Sequence, residues 1–139
     1  MCFRKSYLAQ EKSQQINLLI ETELETASDI QLLRKAIINL IRNAIYYSPS
    51  QAEITVHVKQ EGEFISLIIR NTGVTMTREQ IKYVLQPFNR LEQSRNRQTG
   101  GSGLGLYIVS QIAKRCGYQF NLSSDETYVE AKLLIKVAN

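Results

Sequence analysis

One histidine, two cysteines, two prolines and no tryptophan are all that this chain of 139 residues offers in those types. With His57 alone, neither a His pair nor a His-Glu-x-x-His zinc helix can be built, and a Ser-His-Asp triad has almost no material. Most hydrolase mechanisms are thereby excluded. Cys2 and Cys116 lie far apart and neither sits in a C-x-x-C spacing, so there is no disulfide framework and no zinc motif. A reducing cytoplasm suits that usage best. Apolar runs long enough to span a bilayer are missing, and the start, Met1-Cys2-Phe3-Arg4-Lys5-Ser6, has no apolar stretch of a secretion signal. Charge of one sign is scarce too: 17 basic against 13 acidic residues leave a net +4. That favours an anionic ligand such as a phosphate, but is too little for a nucleic-acid coat, so no nucleic-acid partner is expected.

What is present is a 43% apolar composition over a length suited to one core. Residues 1–13 are polar and aperiodic and read as a residual linker, with a single domain over 14–139. Ile16–Ile20 reads as a first strand. Ser28 with Gln31 three residues on reads as the capping box of a helix that stops before Pro49. In that helix Leu33, Ile37, Leu40 and Ala44 form one apolar stripe, and Arg34, Lys35 and Arg42 lie opposite. Asn39 and Asn43 fall one turn apart on the border between the two faces, where amides are out of place. A hairpin follows, Ile54–Lys59 and Phe64–Ile69 around Gly62, with His57 on its polar face and given no role. Thr77 with Gln80 starts a short helix ending before Pro87. Residues 86–103 form a long polar, basic loop that carries Arg95 and Arg97. A helix with an apolar side of Leu104, Ile108 and Ile112 follows, capped by Gly117. Two alternating strands, Tyr118–Leu122 and Val129–Val137, close the chain around Asp125-Glu126-Thr127. The order is β-α-β-β-α-α-β-β.

Of seven glycines, four (Gly100, Gly101, Gly103 and Gly105) crowd into six residues at the head of that last long helix. Glycine allows close backbone approach, and a helix start offers unpaired N–H groups and a positive dipole end, which together favour a phosphate. The spacing matches neither a P-loop nor a dinucleotide-binding turn. What recurs instead is an ordered set: Asn39-Leu40-Ile41-Arg42-Asn43-Ala44, then Asn71-Thr72-Gly73, then Pro87-Phe88-Asn89-Arg90, then Gly101-Ser102-Gly103-Leu104-Gly105-Leu106.

These four blocks resemble the N box, first glycine box, F box and second glycine box of the catalytic ATP-binding domain of bacterial sensor histidine kinases, in the GHKL superfamily. The likeness spans roughly residues 14–138. It implies the Bergerat fold, an α/β (α+β) two-layer sandwich with a mixed sheet and helices packed on one face. It implies ATP and Mg²⁺ as ligands, with Asn43 in the metal-ligand position and Asn39 in the preceding N-box position. Tyr47 lies beside the nucleotide, and Asn71 stands where the family usually carries an aspartate that recognises the adenine amine. Gly73 allows close approach to the base, and Gly101, Ser102, Gly103, Leu104 and Gly105 line the phosphates. Arg90 reaches the terminal phosphate and, with Asn39, is the expected catalytic residue, since a guanidinium suits the spread charge of a transferring phosphoryl group.

The chain departs from the pattern at Tyr46, where a basic residue is usual, at Asn71, and at Thr75, where a second glycine is usual. GHKL hydrolases place a glutamate where this chain has Asn39, and an amide cannot take a proton from water, so a poor ATPase and a phosphotransferase are implied. The family's acceptor is a histidine on a dimerising hairpin that this chain lacks. The resemblance therefore implies, as partners, that dimerisation domain of the same kinase and a downstream response regulator. It also implies a monomeric isolated domain from the cytoplasmic part of a larger, membrane-bound or soluble sensor. The other readings are a degenerate nucleotide-binding domain, a serine kinase of the anti-sigma-factor type, and a basic interaction module without nucleotide.

Overall fold

The computed structural model describes residues 13–23, 29–87 and 105–137. Strand β1 (Gln15–Ile20) leads into helix α1 (Ile30–Tyr47), followed by strands β2 (Glu53–Glu61) and β3 (Phe64–Thr72). Helices α2 (Arg78–Val84) and α3 (Gly105–Cys116) precede strands β4 (Gln119–Ser124) and β5 (Tyr128–Lys136). This is the order of elements expected above. The strands form one sheet in the order β1-β2-β3-β5-β4, with β1 parallel to β2 and every other pair antiparallel. A parallel neighbour needs a crossover, and α1 supplies it by lying across one face of the sheet.

Alternation along the strands decides which face that is. Register sets Val56 opposite Ile69, Val58 opposite Leu67, and Leu67 opposite Leu133. These side chains, with Ile54, Ile65 and Ile135, are almost fully buried under the helices. Leu33, Ala36, Ile37, Leu40 and Ala44 bring the expected stripe of α1 down onto them. Each large aliphatic side chain buried there stabilises the fold by about 1.5–3 kcal/mol. The opposite face is polar: Arg70 pairs with Glu130 at 2.7 Å and lies 4.0 Å over the Tyr128 ring, and Lys132 reaches Glu61 at 3.7 Å. Ile68 and Leu134 on that side are half-buried among these charged side chains, and no helix of the described residues covers them, so two layers suffice.

Three local expectations change. The N-cap of α1 is Asp29, not Ser28: its Oδ1 accepts from the backbone N–H of Gln31 at 2.9 Å and of Leu32 at 3.4 Å. A carboxylate does this better than a hydroxyl at the positive end of a helix. In α3 the buried residues are Leu106, Val109, Ile112 and Ala113, with Ile108 only half-buried, because the helix wedges against both α1 and β4. Leu104 lies outside the described residues. His57 has a carboxylate partner after all, since its Nε2 pairs with Glu21, which the parallel pairing of β1 and β2 delivers from far away in sequence. The Thr77–Gln80 capping box of α2 and the left-handed Gly117 after α3 stand as expected.

The end of α1 is held from outside the helix. Ser48 donates from its backbone N–H and its hydroxyl to the Ala44 carbonyl, at 3.1 and 2.6 Å. The buried Gln14, just before β1, donates from Nε2 to the carbonyls of Ile45 at 3.1 Å, Ser48 at 3.0 Å and Pro49 at 3.3 Å. It thereby satisfies carbonyls that a helix terminus leaves open.

Candidate functional site

Asn39 and Asn43 are both half-buried on the side of α1 that meets α3. The Nδ2 of Asn39 donates to the Lys35 carbonyl one turn back, at 2.8 Å. With its donor engaged, the amide turns its oxygen the other way. A Cβ placed on Gly105 would sit 3.4 Å from Asn39 Oδ1 and 3.9 Å from Asn43 Oδ1. Two neutral carboxamide oxygens therefore converge on the first residue of α3. The first turn of that helix carries no acidic side chain, so its open N–H groups and positive end are available to an anion. Both distances are ordinary van der Waals contacts, so a side chain there would be tolerated by the fold but would occupy the space in front of the two oxygens.

Asn71 comes to the same crevice from the sheet. It occupies β3 between Ile54 on β2 and Val129 on β5, is only 4% exposed, and its Nδ2 finds no partner among the described residues. Beyond it the chain turns at Gly73, whose φ is +82° and whose Cβ, if present, would lie 2.7 Å from Pro49 Cγ. Both the backbone and the space demand glycine. Thr75, where the resemblance expects another glycine, is not among the residues with positive φ, so the backbone there accommodates a side chain without strain.

A second set of residues, not singled out in the sequence, fastens this turn. The N–H of Gly73 donates to the Thr127 carbonyl at 3.3 Å. The N–H of Met76 donates to Ser124 Oγ at 2.9 Å, and that hydroxyl donates to the Tyr128 carbonyl at 3.0 Å. Asp125 Oδ1 accepts from Thr127 N at 2.7 Å, Thr127 Oγ1 at 3.1 Å and Tyr128 N at 3.1 Å. Chiefly through the Thr127 backbone N–H, its carboxyl is held below its ordinary value. The Asp-x-Thr spacing is a readable turn signal; what the turn holds is not.

Between these elements lies a narrow pocket lined by Leu40, Asn43, Ala44, Tyr47, Asn71 and Met76, with Leu106 and the apolar ends of β3, β4 and β5 behind. It encloses about 20 Å³, room for a water molecule. A planar ring would need side chains at its rim to move, and unbranched Met76 is the one that yields most readily. A larger cleft of about 660 Å³ opens between β1 and the start of α1, lined by Leu18, Ile20, Glu21, Ile30 and Arg34 among others. It has neither amides nor glycines, so its size does not make it the site.

Of the expected site residues, Asn39, Asn43 and Gly105 meet at one point, and Tyr47 and Asn71 line the adjoining pocket, with Gly73 in the turn two residues beyond Asn71. Tyr46 is half-buried one turn beyond Asn43. Arg90, Gly101, Ser102, Gly103 and Leu104, together with Phe88, Arg95 and Arg97, lie outside the described residues. Within the described residues no three His, Cys, Asp or Glu side chains cluster as metal ligands, and no helix is long and apolar enough to cross a membrane.

Comparison with known proteins bears directly on this geometry. Residues 28–137 match the family described as histidine kinase-, DNA gyrase B-, and HSP90-like ATPase. The probable sensor kinase SilS of Salmonella typhimurium is 36% identical over 97 residues, which is 70% of this chain and 20% of that protein. The sensor protein RstB of Escherichia coli K12 is 34% identical over 116 residues, 84% of this chain and 26% of RstB. The chain thus spans about a quarter or less of the length of these relatives. Among solved structures, the mycobacterial sensor histidine kinase MprB superposes with a TM-score of 0.77 at 21% identity, over 93% of this chain and 88% of that one. Its fold is the mixed sheet with helices on one face described above. With two amides facing a glycine at a helix head, and a profile match over most of its length, the chain belongs to the histidine kinase-, DNA gyrase B- and HSP90-like ATPase family.

Proposed function

We propose that this chain binds Mg·ATP in the crevice between α1 and the head of α3, and passes the γ-phosphoryl group to a histidine on the separate dimerisation domain of a sensor kinase. The observation that carries the reading is the convergence of the Asn39 and Asn43 oxygens on Gly105. An amide oxygen is a hard ligand that adds no negative charge beside a triphosphate, so Asn43 fits a magnesium ion shared with the phosphates. Bound there, the ion would neutralise charge on the phosphate oxygens. The N–H groups at the start of α3 are offered to the phosphates, and the resemblance adds Gly101, Ser102, Gly103 and Leu104 to their ligands. Asn71 and Gly73 take the base, with Tyr47 beside it.

The chemistry follows from what Asn39 is not. A carboxylate there would accept a proton from water; an amide cannot, and its N–H is already committed to Lys35. Hydrolysis lacks a base, so the acceptor comes from outside. An imidazole nitrogen forms the N–P bond as the bond from phosphorus to the bridging oxygen breaks, and ADP leaves with that electron pair. Arg90 stabilises the charge on the phosphoryl oxygens in passage. The partners of this reading are the dimerisation domain of the same kinase and then a response regulator, with the chain acting as a monomeric cytoplasmic unit of a larger sensor.

The test mixes the chain with the dimerisation hairpin of its own kinase and γ-labelled ATP. Acid-labile label on the hairpin histidine is expected, with slow release of free phosphate. Nucleotide binding without label would convert the reading to that of a binding domain that does not transfer, and label on serine would indicate a serine kinase.

A further inference from the structure

The buried donor of Asn71 bears on which base the pocket takes. This residue is 4% exposed, its Nδ2 has no partner among the described residues, and it lines the pocket with Ala44, Tyr47 and Met76. A buried amide N–H without an acceptor is costly, and a ligand that supplies the acceptor removes the cost. A carboxylate at this position would only accept. A carboxamide both donates and accepts, through two atoms that a half-turn of the side chain exchanges.

The purine edge around C6 exists in two patterns. A 6-aminopurine offers an N–H at C6 and an acceptor at N1; a 6-oxopurine offers an acceptor at C6 and an N–H at N1. Asn71 pairs with either at two points, Oδ1 with the amine and Nδ2 with N1, or, after the half-turn, Nδ2 with O6 and Oδ1 with the N1 proton. A carboxylate would set its lone pairs against O6. Apart from Asn43, Tyr47 and Asn71, the pocket walls are apolar, so a further amine at C2 would be desolvated against a mostly apolar lining.

We propose that this pocket accepts nucleotides of hypoxanthine as well as of adenine, that Asn71 is the residue conferring that latitude, and that guanine is disfavoured by its 2-amino group. The inference rests on the nucleotide reading above, and the experiment separates the two. The chain and its Asn71→Asp variant are titrated calorimetrically with ADP, IDP and GDP in the presence of Mg²⁺. The wild type is expected to bind IDP within tenfold of ADP, and GDP at least tenfold more weakly than IDP. Asn71→Asp is expected to widen the IDP-to-ADP ratio at least tenfold. ADP binding with IDP more than tenfold weaker overturns the proposal while the nucleotide reading stands, and so does an unchanged ratio in the variant. GDP binding as tightly as IDP overturns the exclusion of guanine. Binding of none of the three overturns both readings. Should Asn71→Asp fail to fold, the wild-type ratio alone decides.

Discussion

At the scale of single residues, the site depends on neutrality and on missing atoms. Asn43→Asp puts a negative charge where a triphosphate is to lie, and Mg-dependent ATP affinity is expected to fall by about tenfold or more, roughly 1.4 kcal/mol. Calorimetry with and without Mg²⁺ checks it, and an unchanged affinity would remove Asn43 from the ligand set. Gly105→Ala separates fold from site. The added methyl group meets Asn39 Oδ1 at 3.4 Å, an ordinary contact that fills the space in front of the two amide oxygens, whereas the backbone gains helix propensity of up to about 1 kcal/mol. Unfolding stability is expected to hold or rise while ATP affinity falls severalfold. That Asn39 and Asn43 stand side by side was legible in the sequence, because two amides one turn apart on an apolar border call for a reason, whereas Asn71 was marked only by the resemblance. Ser124 and Gln14 were marked by neither. Their partners lie 48 and 31 residues away, and no local pattern marks such a bond.

At the scale of elements, the β4–β5 turn holds the loop that follows β3. Ser124→Ala leaves the Met76 N–H without its acceptor, and about 1 kcal/mol of stability should be lost. A rise of a few fold in nucleotide Kd should accompany it, and Ser124→Thr should restore both. The same turn carries a pH signature. Because the Thr127 backbone N–H holds the Asp125 carboxyl below the usual carboxylate range, its contribution is complete above that range and disappears as pH falls through the lowered value. Urea midpoints measured from about pH 6 down to about pH 3 should therefore decline less steeply in Asp125→Asn than in the wild type. The element order was legible because each helix and strand keeps its own period. The position of the α1 cap and the buried side of α3 were not. The first depends on two candidate residues in a row, and the second on a helix pressed from two directions, where a single stripe underestimates the buried face.

At the scale of the whole molecule, the two layers were implied by the resemblance, and the alternation of β2 agrees with them, since its outward residues are all polar. The pairing of β1 was harder to see: a parallel edge strand is known only once the crossover helix is placed, and His57 gains Glu21 as a consequence. A ligand that binds only the folded chain adds stability in proportion to its occupancy. At a concentration of about one hundred times Kd this amounts to about 2.7 kcal/mol. For a chain of this length, Mg·ADP should then raise Tm by about 9 °C, and no shift at saturating nucleotide would argue against the crevice as a binding site.

Gln14 grips the three carbonyls at the end of α1, and the ring of Pro49, one of those three residues, crowds Gly73 beside the base pocket. Only two links thus separate the residue that leads into the first strand from the turn that follows β3. The end of α1 serves both as anchor for the start of the sheet and as the wall that keeps position 73 a glycine.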